Sequence, residues 1–331
     1  MIEIGATEGA NRHNRHSLAS LLSGPTREKL GLLKKKTMMT WAVFRKNKLG
    51  MAGLIILIGF LVMAVFAAQI MWILSVIGGW DSAYGPFDRV ERVGLGTKPS
   101  SEHWLGTDLN GYDLLSRTIY GSRVSLLVGL VATAVSMGLG SAVGLLSGYW
   151  GGWKDEVLMR ITDVFLVLPW LVLMIVLAAV LPGGPTVGKV ILVIGITGWS
   201  STARIVRAQV LSIKERAFVE RARAIGAGDI HIVRKHVFPN VFPLVFANSI
   251  LTIALSILSE STLSFIRLGP RSVDVVTWGN MLEDAVTGDA IINDLYLWVI
   301  VPGLCIVFVV LGFTFVGYAL DEIFNPKLRR R

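Results

Sequence analysis

The side chains able to do chemistry are few, and each lacks a necessary partner. His103, Asp108 and Asp113 lie close together in one polar stretch. A histidine among carboxylates could serve acid–base or metal chemistry. No nucleophile or metal set accompanies them, so a catalytic reading carries little weight. Gly183–Lys189, GGPTVGK, satisfies G-x-x-x-x-G-K. A phosphate loop also needs Ser or Thr next, for magnesium, and a strand before it. Val190 follows, and both flanks are apolar. His13 and His16 are spaced for one helix face, with no carboxylate or cysteine beside them. Cys305 is the single cysteine, inside an apolar run, which excludes an intrachain disulfide and a cysteine metal cluster. The expectation is a chain with no catalytic residues, metal site or cofactor of its own.

The elements that carry these residues are set by composition. The chain has 331 residues, is 53% hydrophobic, and is only 17% charged. Soluble domains carry about a quarter. Mean hydropathy is +0.62, as in membrane proteins. Six stretches are free of Asp, Glu, Lys and Arg: Leu49–Trp80, Val124–Trp153, Val164–Gly188, Val190–Ala203, Val237–Ser259 and Leu295–Leu320. About 20 apolar residues cross a bilayer. The fourth stretch is short unless it begins near Pro185 and Lys189 snorkels at its start.

Six spans put both termini on one side. Of the 32 Lys and Arg, 24 precede Leu49, lie between Trp153 and Asp163, run from Arg204 to Lys235, or follow Leu320. The positive-inside rule makes these regions cytoplasmic. The net charge of +9 is then a topology signal, with anionic lipid as neighbour, and not a nucleic-acid footprint. Residues 1–26 read as a disordered cytoplasmic tail, 27–48 as a basic amphipathic segment before the first span, and 49–123 as the first span with its outer loop. Residues 124–325 form the core, and 326–331 a basic cytoplasmic tail. No cleavable signal peptide is expected, because the first apolar run is late and long. Gly140, Gly144 and Gly148, with Ser136 before them, form a small-residue stripe for close helix packing. Pro169 and Pro243 suggest kinks.

One loop, 212–240, is basic yet patterned. It predicts two short helices, the first from about Lys214 to Ile225, with apolar Ala217, Ala222 and Ile225. Gly226 and Gly228 interrupt it. Asp229 is placed to cap a second helix bearing Ile230, Val233 and Val237, and Pro239 opens the next apolar segment. Glu220, Ala222 and Gly226, with Pro239 thirteen residues on, resemble the cytoplasmic coupling loop of ABC importer permeases. Arg221 and Phe238 depart from that family's usual Ala and Leu.

A second block is more specific. His103, Leu105, Gly106, Thr107, Asp108, Gly111, Asp113, Ser116, Arg117, Tyr120, Gly121, Arg123, Ser125 and Leu126 resemble the outer-loop signature of the dipeptide, oligopeptide and nickel branch of that family. Tyr112 replaces a common Arg. Thr107-Asp108 is placed to cap a short helix, and Arg117 and Arg123 to sit at the outer membrane surface. Leu263–Asn280 resembles a further family loop, with Ile266-Arg267 in place of Leu-Gly and Trp278-Gly279-Asn280 retained.

The resemblance implies an all-α membrane protein of six transmembrane helices, both termini cytoplasmic, in the cell (inner) membrane. It implies a homologous second permease subunit, two ABC ATPase subunits holding ATP and Mg, and an extracytoplasmic substrate-binding protein. Glu220, Ala222, Gly226, Asp229 and Pro239 would shape the ATPase-coupling element. The cargo would be dipeptide or oligopeptide, with nickel as the alternative. The spans are charge-free through their middles, with Glu260 at an outer end. That speaks against the other alternative, an ion-coupled secondary carrier, because such carriers bury ionisable groups.

Overall fold

A computed structural model describes residues 38–79, 85–89, 96–271 and 275–324. The tails read at 1–26 and 326–331, and most of the segment at 27–48, lie outside the described residues. The chain divides at Lys48/Leu49 into two units. Of the first, residues 38–44 are helical.

The second unit is built from helices, the first of which starts at the boundary residue Lys48. They are α1 (Lys48–Val65), α2 (Ala67–Gly78), α3 (Leu114–Trp150), α4 (Gly152–Val167), α5 (Trp170–Val180), α6 (Val187–Lys214), α7 (Ala217–Ala224), α8 (Asp229–Ile232), α9 (Phe238–Phe265), α10 (Trp278–Thr287) and α11 (Tyr296–Phe324). Among the described residues the only extended pairing is two isolated bridges, Arg89 with Tyr112 and Thr107 with Asp113. Among the described residues, five helices are long and apolar enough to cross a bilayer; α4 and α5 qualify together as a pair bent by 96°. Counting that pair as one span gives six.

Several boundaries differ from the charge-free stretches, each for a physical reason. The first stretch breaks at Phe66 into α1 and α2. The second span begins at Leu114, because Arg117 and Arg123 lie inside its helix and find partners there. The third breaks at Pro169: the proline has no N–H for the Phe165 carbonyl one turn back. The fourth is capped by Thr186 and runs to Lys214. Lys189 donates to the carbonyls of Leu181 (2.7 Å) and Gly183 (3.1 Å), closing the end of α5. Arg204 and Arg207, which ended the apolar count, pair with Asp163 (2.5 Å) and Asp155 (2.6 Å) of α4. The fifth is one long helical run from Asp229 to Phe265.

The glycine stripe joins α3 to α6. A Cβ on Gly140 would sit 2.6 Å from the Trp199 carbonyl, and one on Gly144 2.6 Å from that of Ala203. On Gly148 it would lie 2.9 Å from Val210. Lipid offers no hydrophobic drive to hold helices together, so close backbone packing supplies the attraction. A second core gathers Ile257, Trp278, Met281, Trp298 and Val309, where α9, α10 and α11 meet.

Candidate functional site

Two groups of residues singled out by sequence form built structures. The first is the basic hairpin. Helix α7 ends as the Ala227 N–H bonds the Ala222 carbonyl (3.0 Å), with Gly226 at φ +85 between them. A left-handed backbone there suits only glycine without strain. Gly228 is extended, φ −69, and needs no such freedom. The second arm is not a separate helix: α8 passes through a π-helical turn, Val233–Val237, directly into α9.

The apolar residues of the hairpin divide into two sets. Val219, Ala222, Ile232 and Val237 are buried against Tyr149, Val206, Val210 and Ile213 of α3 and α6. Ile225 and Ile230, flanking the turn, point away and are 86% and 69% exposed. Of the apolar residues read in the sequence, Ala222 and Val237 therefore pack on the spans, and Ile225 and Ile230 do not. Glu220, Arg221, Arg223, Arg234, Lys235 and Pro239 are exposed. Asp229 does not cap. Gly228 is the N-cap, with no side-chain bond. Asp229 Oδ1 instead accepts from the Tyr149 hydroxyl at 2.8 Å. The sequence held no signal for Tyr149, because its role depends on a contact 80 residues away. Seated on α3 and α6 and continuous with α9, the hairpin is coupled to three spans. Its two exposed isoleucines lie among exposed charged residues.

The second structure is a polar knot at residues 96–123. Asp113 caps α3, accepting from Ser116 N–H at 2.7 Å, and its other oxygen meets His103 Nδ1 at 2.9 Å. Both side chains are fully buried. Asp108 accepts from the N–H groups of Asn110 (2.8 Å) and Tyr112 (2.9 Å) and pairs with Arg117. Arg117 reaches on to Asp284 of α10 at 3.0 Å. Thr107 Oγ1 accepts from Thr97 N–H at 3.0 Å. No helix starts at Thr107-Asp108. Asp108 closes a turn through Gly111 (φ +82), and Asp113 is the helix cap. Gly106 has φ +83, and a Cβ on it would overlap the Thr97 carbonyl at 2.2 Å. Arg117 is buried, only 7% exposed. Arg123 is exposed but donates to the last carbonyls of α1, Ala64 (2.7 Å) and Val65 (3.3 Å). Nearby, Tyr296 (3.0 Å) and then Lys98 (3.3 Å) hold the Asp294 carboxyl below the usual carboxylate range.

The Trp278-Gly279-Asn280 block docks onto the same region. Trp278 Nε1 donates to the Thr118 carbonyl (3.0 Å), and Asn280 Nδ2 to that of Pro270 (2.6 Å). A Cβ on Gly279 would meet the Ser261 carbonyl at 2.6 Å. These contacts fasten the 96–113 loop to α3, and α3 to α10.

Residues 140–330 match the family described as binding-protein-dependent transport system inner membrane component. The chain belongs to that family. Residues 37–86 of this permease match the N-terminal transmembrane domain of oligopeptide transport permease C. The dipeptide transport system permease protein DppC of Bacillus subtilis is 36% identical over 89% of this chain and 87% of its own length. The oligopeptide transport system permease protein OppC of the same organism is 33% identical over 90% and 93%. The glutathione transport system permease protein GsiD of Pectobacterium atrosepticum is 34% identical over 80% and 87%. The permease is thus a multi-pass membrane protein of an ABC transporter.

Glu260 lies in the last turns of α9, near the end where the sequence placed it. It is fully buried inside α9, accepting from the hydroxyls of Ser264 (2.7 Å), Ser125 (3.2 Å) and Ser261 (3.4 Å). A spanning helix does bury an ionisable group, so the expected lack of one no longer speaks against an ion-coupled carrier. Family membership now carries that distinction. The run of hydroxyls in SESTLS, residues 259–264, was the available signal.

Proposed function

We propose that this permease forms half of the translocation path of an ATP-driven importer of dipeptides or oligopeptides. The termini and the hairpin face the cytoplasm, and an ATPase subunit receives the hairpin tip. A homologous permease supplies the other half of the path, and a substrate-binding protein delivers cargo to the face bearing the 96–123 knot. The observation that carries this reading is the hairpin itself: apolar at its exposed tip, and fixed at its base to α3, α6 and α9. Closure of the ATPase pair would move that base as a rigid body and tilt the spans it holds. The names of the relatives support peptide as cargo.

Affinity purification of the tagged full chain in mild detergent tests the assembly. An ABC ATPase and a second permease are expected to come with it. Recovery of the chain alone, active in solute uptake, would refute the reading. Gly226→Pro cannot adopt the positive φ at the turn. It is expected to abolish transport-coupled ATP hydrolysis while membrane insertion continues.

A further inference from the structure

A cavity of about 440 Å³ opens where the α4–α5 span breaks. Residues 165–170, the broken backbone itself, form one wall. The others carry hydroxyls: Ser136 from α3, Thr197, Ser200 and Ser201 from α6, and Thr252 and Ser256 from α9. None of its lining residues is Asp, Glu, Lys, Arg, His or Cys.

Three observations make this more than a packing defect. A break within a spanning segment leaves backbone groups without helical partners, which lipid does not tolerate unless protein or a polar cavity receives them. Phe165 has lost its helical acceptor pairing to Pro169, and it lies on the wall. The Ser136 hydroxyl is buried, lines the cavity, and has no hydrogen-bond partner. A buried, unsatisfied hydroxyl costs free energy that a bound polar group would recover. The remaining side chains show what order looks like there: Trp170 Nε1 donates to Thr197 Oγ1 (3.0 Å), and Ser256 pairs with Thr133 (3.0 Å).

We infer that this cavity is a binding subsite for the neutral amide backbone of a short peptide. The inference rests on the importer reading above and deepens it. Hydroxyls, which donate and accept, and the Phe165 carbonyl, which accepts, match amide N–H and C=O groups. A divalent cation would need carboxylate, imidazole or thiolate ligands, which the lining lacks. The apolar part of the wall, including Ile194, Leu255 and Trp170, accepts side chains without selecting one sequence. The volume falls in the ordinary range of ligand pockets, about 300–1,000 Å³.

The test uses the full chain with its partner subunits in membrane vesicles. In a Cys305→Ala background, Ser201→Cys and Thr252→Cys are made separately and titrated with N-ethylmaleimide. Trialanine, free alanine and nickel chloride are the added ligands. Trialanine at ten times its half-saturating concentration is expected to slow labelling about tenfold, by simple occupancy. Alanine and nickel are expected to leave it unchanged. Adding Ser136→Ala is expected to raise the trialanine needed for half-protection about 3–10-fold, the worth of one hydrogen bond. Labelling that trialanine does not slow at either position overturns the inference, as does protection by nickel alone. Absence of labelling at both positions, which would mean that the second permease fills the cavity, also overturns it. So does half-protection that Ser136→Ala leaves unmoved. Wild-type uptake of trialanine is scored separately. Uptake without protection removes the subsite and leaves the importer; no uptake removes both.

Discussion

Arg117 shows how one side chain can hold a loop to a bundle. It pairs with fully buried Asp108 and with Asp284, and it is 8% exposed at the side chain. Truncating one member of a buried pair strands the other, at a cost of about 3–5 kcal/mol. Asp108 keeps two backbone N–H bonds, so the lower end applies. Arg117→Ala is expected to destabilise the chain by about 3 kcal/mol, read as a lowered unfolding midpoint in detergent; an unchanged midpoint would contradict the knot. Arg267 is a contrasting case. It occupies a left-handed position, φ +66, where the family resemblance expects glycine. That conformation costs a non-glycine residue about 1–2 kcal/mol. Its guanidinium bonds Glu283 (2.6 Å) and Thr287 (3.0 Å), but is 57% exposed, so solvent screening cuts the gain to about 1 kcal/mol. Arg267→Gly should therefore be near neutral in thermal unfolding, because Arg271 still pairs with Glu283. Adding Arg271→Ala should strand buried Glu283 and lower the midpoint sharply. Equal effects from the single and double changes would contradict this.

At the scale of the element, small residues decide which helices approach. Gly144 and Gly138 lie in the same helix with opposite surroundings. A Cβ on Gly144 meets backbone at 2.6 Å; one on Gly138 meets nothing within 4 Å. Gly144→Ala is expected to destabilise by about 1–3 kcal/mol through overpacking. Gly138→Ala is expected to be neutral or to stabilise by up to about 1 kcal/mol. Paired melting curves check both signs, and a Gly144→Ala melt matching wild type would sink the packing account. The stripe was legible in the sequence because close approach requires the residue type itself. The six apolar stretches were legible for the same reason, as was the stop at Gly226. The start of α3 was hidden, since Arg117 and Arg123 look like span boundaries until Asp284 and the Ala64 carbonyl are seen beside them. The separation of Ile225 from Ala222 was hidden too. Both fit a helical period, and only the packing of Tyr149, Val206 and Val210 shows which faces inward.

At the scale of the whole molecule, the polar knot sits at the start of α3 and the hairpin packs beside its end. The knot around Asp108 and Asp113 ties α3 to α10, and the hairpin base ties α3, α6 and α9 together. In the proposed mechanism, motion applied to the hairpin would pass into α9, because the π-helical turn makes α8 continuous with α9. The central claim is that the exposed tip receives that motion from an ATPase partner. ATP-dependent trialanine uptake by the reconstituted assembly, with Ile225→Asp and Ile230→Asp together, tests it most directly. Both residues are exposed, so folding and insertion should survive. Loss of two apolar anchors from a docked interface is expected to lower uptake by at least about tenfold and to release the ATPase during purification. Wild-type uptake with the ATPase still bound would contradict the account.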